Sequence, residues 1–271
     1  MKTLDQLVST QKMKLLVYGQ SGVGKTVFAA GAPKPLFLDF DGKVSSAASY
    51  YSVNNPDKLK HISYEDMTDA PGQERPFRRF IKVLAQLHKD AAEGKLKHET
   101  IVIDSLTLFI DAMMADIIAE NPGVKRPNGI PALQDFQIMN LQFKDVMSKL
   151  LALPCHVVVI GHITSETNQE TGKIYWKPLV PGKLADRLPQ VFTEVYRAYV
   201  VHEKGGSVNY VCQTSSDGDY VCRTQIPGLP QNVPSDFNRI ATFMAKKLSA
   251  KKQAPQAVAT QETVTQEVKG A

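Results

Sequence analysis

Residues 19–26, GQSGVGKT, match the spacing G-x-x-x-x-G-K-T, and the residue types specify one kind of chemistry. Glycines let the chain curl so that backbone N–H groups of Gly22, Val23, Gly24, Lys25 and Thr26 point at a phosphate. The Lys25 amine then reaches the β- and γ-phosphates of a nucleotide, and the Thr26 hydroxyl is a hard oxygen suited to Mg²⁺. Gly19, Gln20, Ser21 and Val27 complete the expected phosphate contacts. A chance glycine turn would lack the apolar run MKLLVYG before the motif and the helix-forming KTVFAAGA after it.

Three further positions bear on that chemistry. Asp104 ends the apolar run TIVID, at the strand edge where a carboxylate can support the Mg²⁺ shell; capping of the following helix is the alternative, with Ser105 competing for it. FLDFD ends the strand after the first helix and offers Asp41 or Asp39 to orient an attacking water beside the γ-phosphate. A hydrolase needs such a carboxylate and a small-molecule kinase does not, although paired aspartates before Gly42 also suit a plain turn. His162 ends VVVIGH, where a neutral imidazole can hydrogen-bond the γ-phosphate and report its loss to the loop beyond.

The elements that must position these groups follow from hydropathy. Continuous apolar runs in MKLLVYG, KPLFLDFDG, ETIVIDSLTLF and HVVVIGH read as strands buried on both faces, with LKHISY a weaker fifth. Helical periodicity covers residues 76–95, 106–120 and 133–153. Alternating strands and helices imply an α/β fold with a central, mainly parallel sheet flanked by helices. After His162 a polar hairpin is expected over ITSETNQETGKIYWKP, then antiparallel strands in VFTEVYRAYVV, VNYVCQT and DYVCRTQI, and a last helix capped by Ser235 or Asp236. The domain is expected over residues 1–248, with 249–271 a flexible low-complexity tail.

Composition narrows the field less. Hydrophobic residues at 43% and charged residues at 22% exclude disordered and fibrous classes. A net charge of +5 permits an anionic partner without requiring one. No apolar run approaches the roughly 20 residues of a membrane span, and the N-terminus lacks a signal-like core, so a cytoplasmic protein without membrane association is expected. Cys155, Cys212 and Cys222 form no C-x-x-C pair and read as packed thiols. Two segments suit single-stranded nucleic acid: Lys125 and Arg126 in GVKRPNG, and Lys173, Tyr175, Trp176 and Lys177 in GKIYWKPLVPGK, where cations interleave with stacking aromatics. A solvated loop with Trp176 packed into the hairpin or a subunit interface is the alternative.

In this order and spacing, GQSGVGKT, FLDFD, IVIDS and VVVIGHIT resemble the RecA-like P-loop ATPase core. KLLVYGQSGVGKTVFAAGAPKPLFLDFDG together with PLVPGKLADRLPQVFTEVYR is similar to the phage nucleotide-binding proteins of AAA type, a core-only RecA-like group. The resemblance implies an ATPase with ATP and Mg²⁺ as ligands, in the host cytoplasm if phage-encoded. It also implies single-stranded DNA binding, annealing or strand exchange, a ring or filament of like subunits, and cooperation with a single-strand-binding protein. It makes Lys25, Asp41, Asp104 and His162 the catalytic set, with Thr26 and Asp104 at the metal. Lys183 or Arg187, in GKLADRLP, would reach a neighbouring subunit's γ-phosphate. Asp41 stands where many relatives carry glutamate, one methylene longer, which implies slow hydrolysis; an ATP-binding switch for a protein partner is the competing expectation.

Overall fold

The computed structural model describes residues 11–182 and 184–250, with side chains through residue 247. Its strands and helices, in chain order, are β1 (Lys14–Tyr18), α1 (Lys25–Ala30), β2 (Pro35–Asp39), α2 (Ser45–Asn54), α3 (Pro56–Leu59), β3 (Ser63–Asp66), α4 (Pro76–Ala92), β4 (Thr100–Asp104), α5 (Leu106–Glu120) and α6 (Leu133–Ala152). There follow β5 (His156–Gly161), β6 (Ile163–Thr167), β7 (Ile174–Pro178), α7 (Leu184–Arg187), β8 (Glu194–His202), β9 (Val208–Gln213), β10 (Asn232–Pro234) and α8 (Phe237–Ala250). The tail expected from residue 249 lies outside the described residues beyond Ala250, and so does Lys183.

Eight strands form one sheet in the order β10-β9-β8-β1-β5-β4-β2-β3, while β6 and β7 form a separate hairpin. The strands from β8 through β3 run parallel, and β9 and β10 add antiparallel pairing at the other edge. Strands β2, β4 and β5 are buried at every position, as their unbroken apolar runs require. Side chains alternate between two cores because the strand period is two. Ile101, Ile103, Val157 and Val159 face a layer with α4, α5 and α6, while Val102, Val158 and Ile160 face Phe28 of α1 and Phe237 of α8.

β8 pairs antiparallel with β9, as expected, and its other edge also pairs parallel with β1, Leu16 opposite Val195, which gives β1 its second neighbour. DYVCRTQI was expected as a strand; it makes only isolated bridges at Tyr220 and Arg223, and β10 takes its place beside β9. The three cysteines are free and buried. Asp236 supplies the cap of α8, its Oδ1 accepting from the Asn238 and Arg239 N–H groups at 2.9 and 3.2 Å.

Candidate nucleotide site

Strands β1, β2, β4 and β5 end on one edge of the sheet, and a cavity of about 540 Å³ opens there. In open parallel sheets the crevice beyond the strands' carboxyl ends is the usual ligand position. Ser21, Gly22 and Gly24 of the loop form one wall, while Gly19, Gln20 and Val23 are outside the lining. Gly24 has φ +82°, and a β-carbon on it would meet the Tyr210 ring at 3.0 Å. At Gly19 a β-carbon would lie 2.3 Å from the Ala198 carbonyl oxygen, so the close approach of β8 requires glycine there. Val23 turns inward and packs in the α1-side core, while Ser21, Gly22 and Val27 line the cavity.

Lys25 is 6% exposed, and its Nζ donates to the carbonyl oxygens of Gly19 at 3.0 Å and Gln20 at 2.6 Å. Burial pulls its pKa down to about 8, with the charges of Asp104 and Asp41 partly opposing. This is a cation with no carboxylate in direct contact, a seat that an entering phosphate would complete.

Thr26 Oγ1 donates to Asp104 Oδ2 at 2.8 Å, bringing together the two expected metal contacts. Asp104 is 2% exposed, and burial pushes its carboxyl up to about 6. The Thr26 bond opposes that rise, whereas the negative charges of Asp39 and Asp41 add to it. Among the described residues no group of three or more His, Cys, Asp or Glu is placed to hold a metal. One buried carboxylate beside a hydroxyl and a phosphate seat instead fits Mg²⁺, which takes few protein ligands and keeps waters and phosphate oxygens. Ser105, the alternative helix cap, makes no cap bond, and its hydroxyl is buried without a partner.

The two aspartates of FLDFD have different surroundings. Asp39 is 3% exposed and accepts from the backbone N–H groups of Lys43 at 3.3 Å and Val44 at 3.1 Å, fixing the turn that leads into α2. Asp41 lines the cavity, its Oδ2 2.9 Å from Lys43 Nζ. Phe40, between them, is buried against Phe80 and Phe109, with ring centroids 6.1 and 5.3 Å away. The Asp41 N–H also donates to the Asp104 carbonyl at 3.1 Å, so the ends of β2 and β4 are tied together.

His162 is half-buried on the opposite wall, and its carbonyl accepts from the Leu179 N–H at 2.9 Å at the base of the β6–β7 hairpin. Burial, then the charge of Lys25, hold its imidazole below the usual range, which favours the neutral form. Sequence reasoning missed Lys43, Tyr50, Tyr210 and Ser235 on the cavity wall. Tyr50 lies on α2, which has no apolar stripe to announce it, and Tyr210 arrives only through the pairing of β9.

The nucleic-acid candidates are more dispersed. Lys125 is exposed, but Arg126 is locked by Asp135, Nε and the second guanidinium nitrogen reaching its two oxygens at 2.8 and 2.7 Å. The expectation of a free cation there is corrected: Arg126 pins the loop before α6. Lys177 pairs with Glu166 and Asp186, and Lys173 with Asp219 at 3.2 Å. Trp176 is half-buried and stacks on Tyr220, centroids 6.1 Å apart and planes 14° from parallel. Arg197 of β8 also lies over the Tyr220 ring, 3.5 Å from its centroid, so Trp176 of the hairpin and the sheet share one aromatic partner. Tyr175, 38% exposed, is the freer aromatic. Arg187 is exposed beside a groove under α6, outside the residues lining the cavity of its own chain.

Among the described residues no helix is long and apolar enough to cross a membrane. No curated protein matches the chain. Similar solved structures include the flagellar accessory protein FlaH from Methanocaldococcus jannaschii, 11% identical at a TM-score of 0.44, covering 84% of this chain and 88% of that one. The RadB recombinase is 16% identical at 0.42 over 79% and 94%, and the KaiC-like protein PH0186 from Pyrococcus horikoshii is 14% identical at 0.40 over 74% and 77%. Nothing about this chain's activity rests on likenesses of that size. The family model described as an AAA domain matches residues 11–225. With a P-loop at the end of β1 and acidic groups at the ends of β4 and β2, on the far side of β5 in the sheet, the chain belongs to this AAA domain family.

Proposed function

We propose that this chain is an Mg²⁺-dependent ATPase of phage recombination, which binds single-stranded DNA and promotes annealing or strand exchange as an oligomer. The observation that carries the ATPase part is the Thr26–Asp104 bond beside the buried Lys25, with Asp41 and His162 on the same cavity. Thr26 and Asp104 would hold the ion, which when bound neutralises charge on the β- and γ-phosphates. Lys25 binds those phosphates. Asp41 accepts a hydrogen bond from the attacking water and takes its proton, a role Asp39 is poorly free to fill with both oxygens on backbone N–H groups. Neutral His162 donates to the γ-phosphate and passes its loss to the hairpin through Leu179. Tyr50 and Tyr210 provide apolar surface for the base and sugar.

The DNA part is supported by the sequence resemblance and by exposed Lys125 and Tyr175. In a ring or filament, Arg187, or Lys183, would serve the adjoining subunit's phosphates. ATP turnover with Mg²⁺, measured with and without single-stranded DNA, tests the reading: turnover that rises with DNA supports it. Absence of both DNA-stimulated hydrolysis and nucleotide-dependent DNA binding would sink it.

One observation favours a second reading. The cations of the hairpin each meet a carboxylate, which suits a protein-facing switch with little turnover better than a DNA groove. Asp41→Ala separates the two, because a binding switch keeps its biological activity and a hydrolysis-driven recombinase loses it.

A further inference from the structure

Asp41 and Lys43 make an unusual pair for a catalytic wall. The carboxylate is nearly enclosed, its side chain 11% exposed, while the lysine side chain that bonds it is 60% exposed. The lysine's backbone is fixed, since its N–H donates to Asp39, yet its four-carbon stem is held at the tip alone, by Asp41 Oδ2 at 2.9 Å. Both residues line the cavity that contains Lys25 and His162. Its charge also acts on both of those groups, lowering the proton affinity of each. A triphosphate entering beside Lys25 brings several negative charges to within reach of an ammonium that is bound by one.

We propose that Lys43 is a second phosphate-contacting cation, whose ammonium transfers from Asp41 to the terminal phosphate when a nucleoside triphosphate enters. The exchange does two things. It neutralises the γ-phosphate, and it strips the ion pair from Asp41, leaving that carboxylate an open acceptor for water only when ATP is present. A nucleoside diphosphate lacks the phosphate that draws Lys43 away, so Asp41 stays paired. Flexibility favours lysine for such a move over the rigid fork of arginine. The inference rests on the ATP reading and deepens it.

Equilibrium binding of AMP-PNP and of ADP, each with Mg²⁺, to the wild type, Lys43→Met and Lys43→Arg tests it. The exposed stem lets both variants fold, which thermal unfolding checks. Lys43→Met is expected to weaken AMP-PNP by about 10-fold or more, the worth of a charge-assisted hydrogen bond, with ADP affinity unchanged. Lys43→Arg recovers part of that loss. Equal affinities for wild type and Lys43→Met, or equal losses for both nucleotides, would overturn the proposal while leaving the ATP site intact. A wild type that binds neither nucleotide would overturn the ATP reading itself and this inference with it.

Discussion

The cavity at the strand ends and the β6–β7 hairpin meet at His162, and they treat charge in opposite ways. In the hairpin Lys173 faces Asp219 and Lys177 faces Glu166 and Asp186, so its charges are matched within the chain. At the cavity Lys25 is held by two carbonyls, and Asp104 by one hydroxyl. Buried ions without direct counter-ions are costly, so such a wall persists where a ligand supplies the missing charge. The hairpin is internally satisfied and is tied to the loop instead. Tyr18, one residue before Gly19, donates to the Val221 carbonyl at 2.9 Å, and the Val221 N–H donates to Trp176. In the proposed function, ligand capture would belong to one region and transmission to the other.

The strongest way to break this contrast is to remove the uncompensated cation. Lys25→Ala is expected to lower ATP turnover by about 10²–10³-fold, as loss of one preorganised donor does elsewhere. Thermal unfolding without nucleotide should stay the same or rise. A large drop in Tm would mean that Lys25 is a structural prop.

Asp104→Asn removes the uncompensated anion. The folded carboxyl titrates near 6, above its ordinary 3.8, so the fold favours the protonated form. The native stability advantage is full below about pH 4 and is lost as pH rises through 6. Asparagine keeps an oxygen for Thr26 without the charge, so the nucleotide-free variant should gain several degrees in Tm at pH 8 and almost nothing at pH 4. Hydrolysis with Mg²⁺ should fall in the same protein. Stability lost at pH 8 would reject the picture of a penalised carboxylate.

The satisfied region should respond more weakly. Arg197→Met removes the cation from the Tyr220 ring at 3.5 Å and, with it, part of the stack that holds Trp176. Emission of the chain's single tryptophan should shift to the red, and turnover without DNA should change by less than about 10-fold. An unshifted spectrum would place Trp176 outside that stack.

The smallest signal is protonic. With Lys25 near 8, nucleotide binding at pH 8 should take up about half a proton, read by calorimetry in buffers of different ionisation enthalpy. Binding without uptake would show that the ammonium is already fully charged.

Much of the cavity was legible because it is local. TIVID, PLFLD and HVVVIG are fully buried strands whose apolar runs end where a polar group must emerge, so Asp104 at the end of one, and Asp41 and His162 just past the other two, could be placed from hydropathy. What stayed hidden is set by distant partners. Helix α2 buries only Ala47, and its entry turn is held by Asp39 rather than by any apolar face. Alternation in VFTEVYRAYVV is the same for parallel and antiparallel pairing, so its antiparallel partner β9 was legible from the turn between them while its parallel partner β1, distant in sequence, was not. Cations and aromatics in GKIYWKP resemble a nucleic-acid groove until Asp219, Asp186 and Tyr220, more distant in sequence, pair with them.

In the proposed reaction Asp41 drives hydrolysis while Asp39 holds the turn. Single-turnover hydrolysis of Mg-ATP by Asp41→Asn and Asp39→Asn, with nucleotide affinity measured on the same samples, tests it most directly. The expected result is an Asp41→Asn protein that binds ATP near wild-type affinity and hydrolyses it at least about 10²-fold more slowly, beside an Asp39→Asn protein that is less stable to heat. Asp41→Asn hydrolysing ATP at the wild-type rate would remove Asp41 from the reaction.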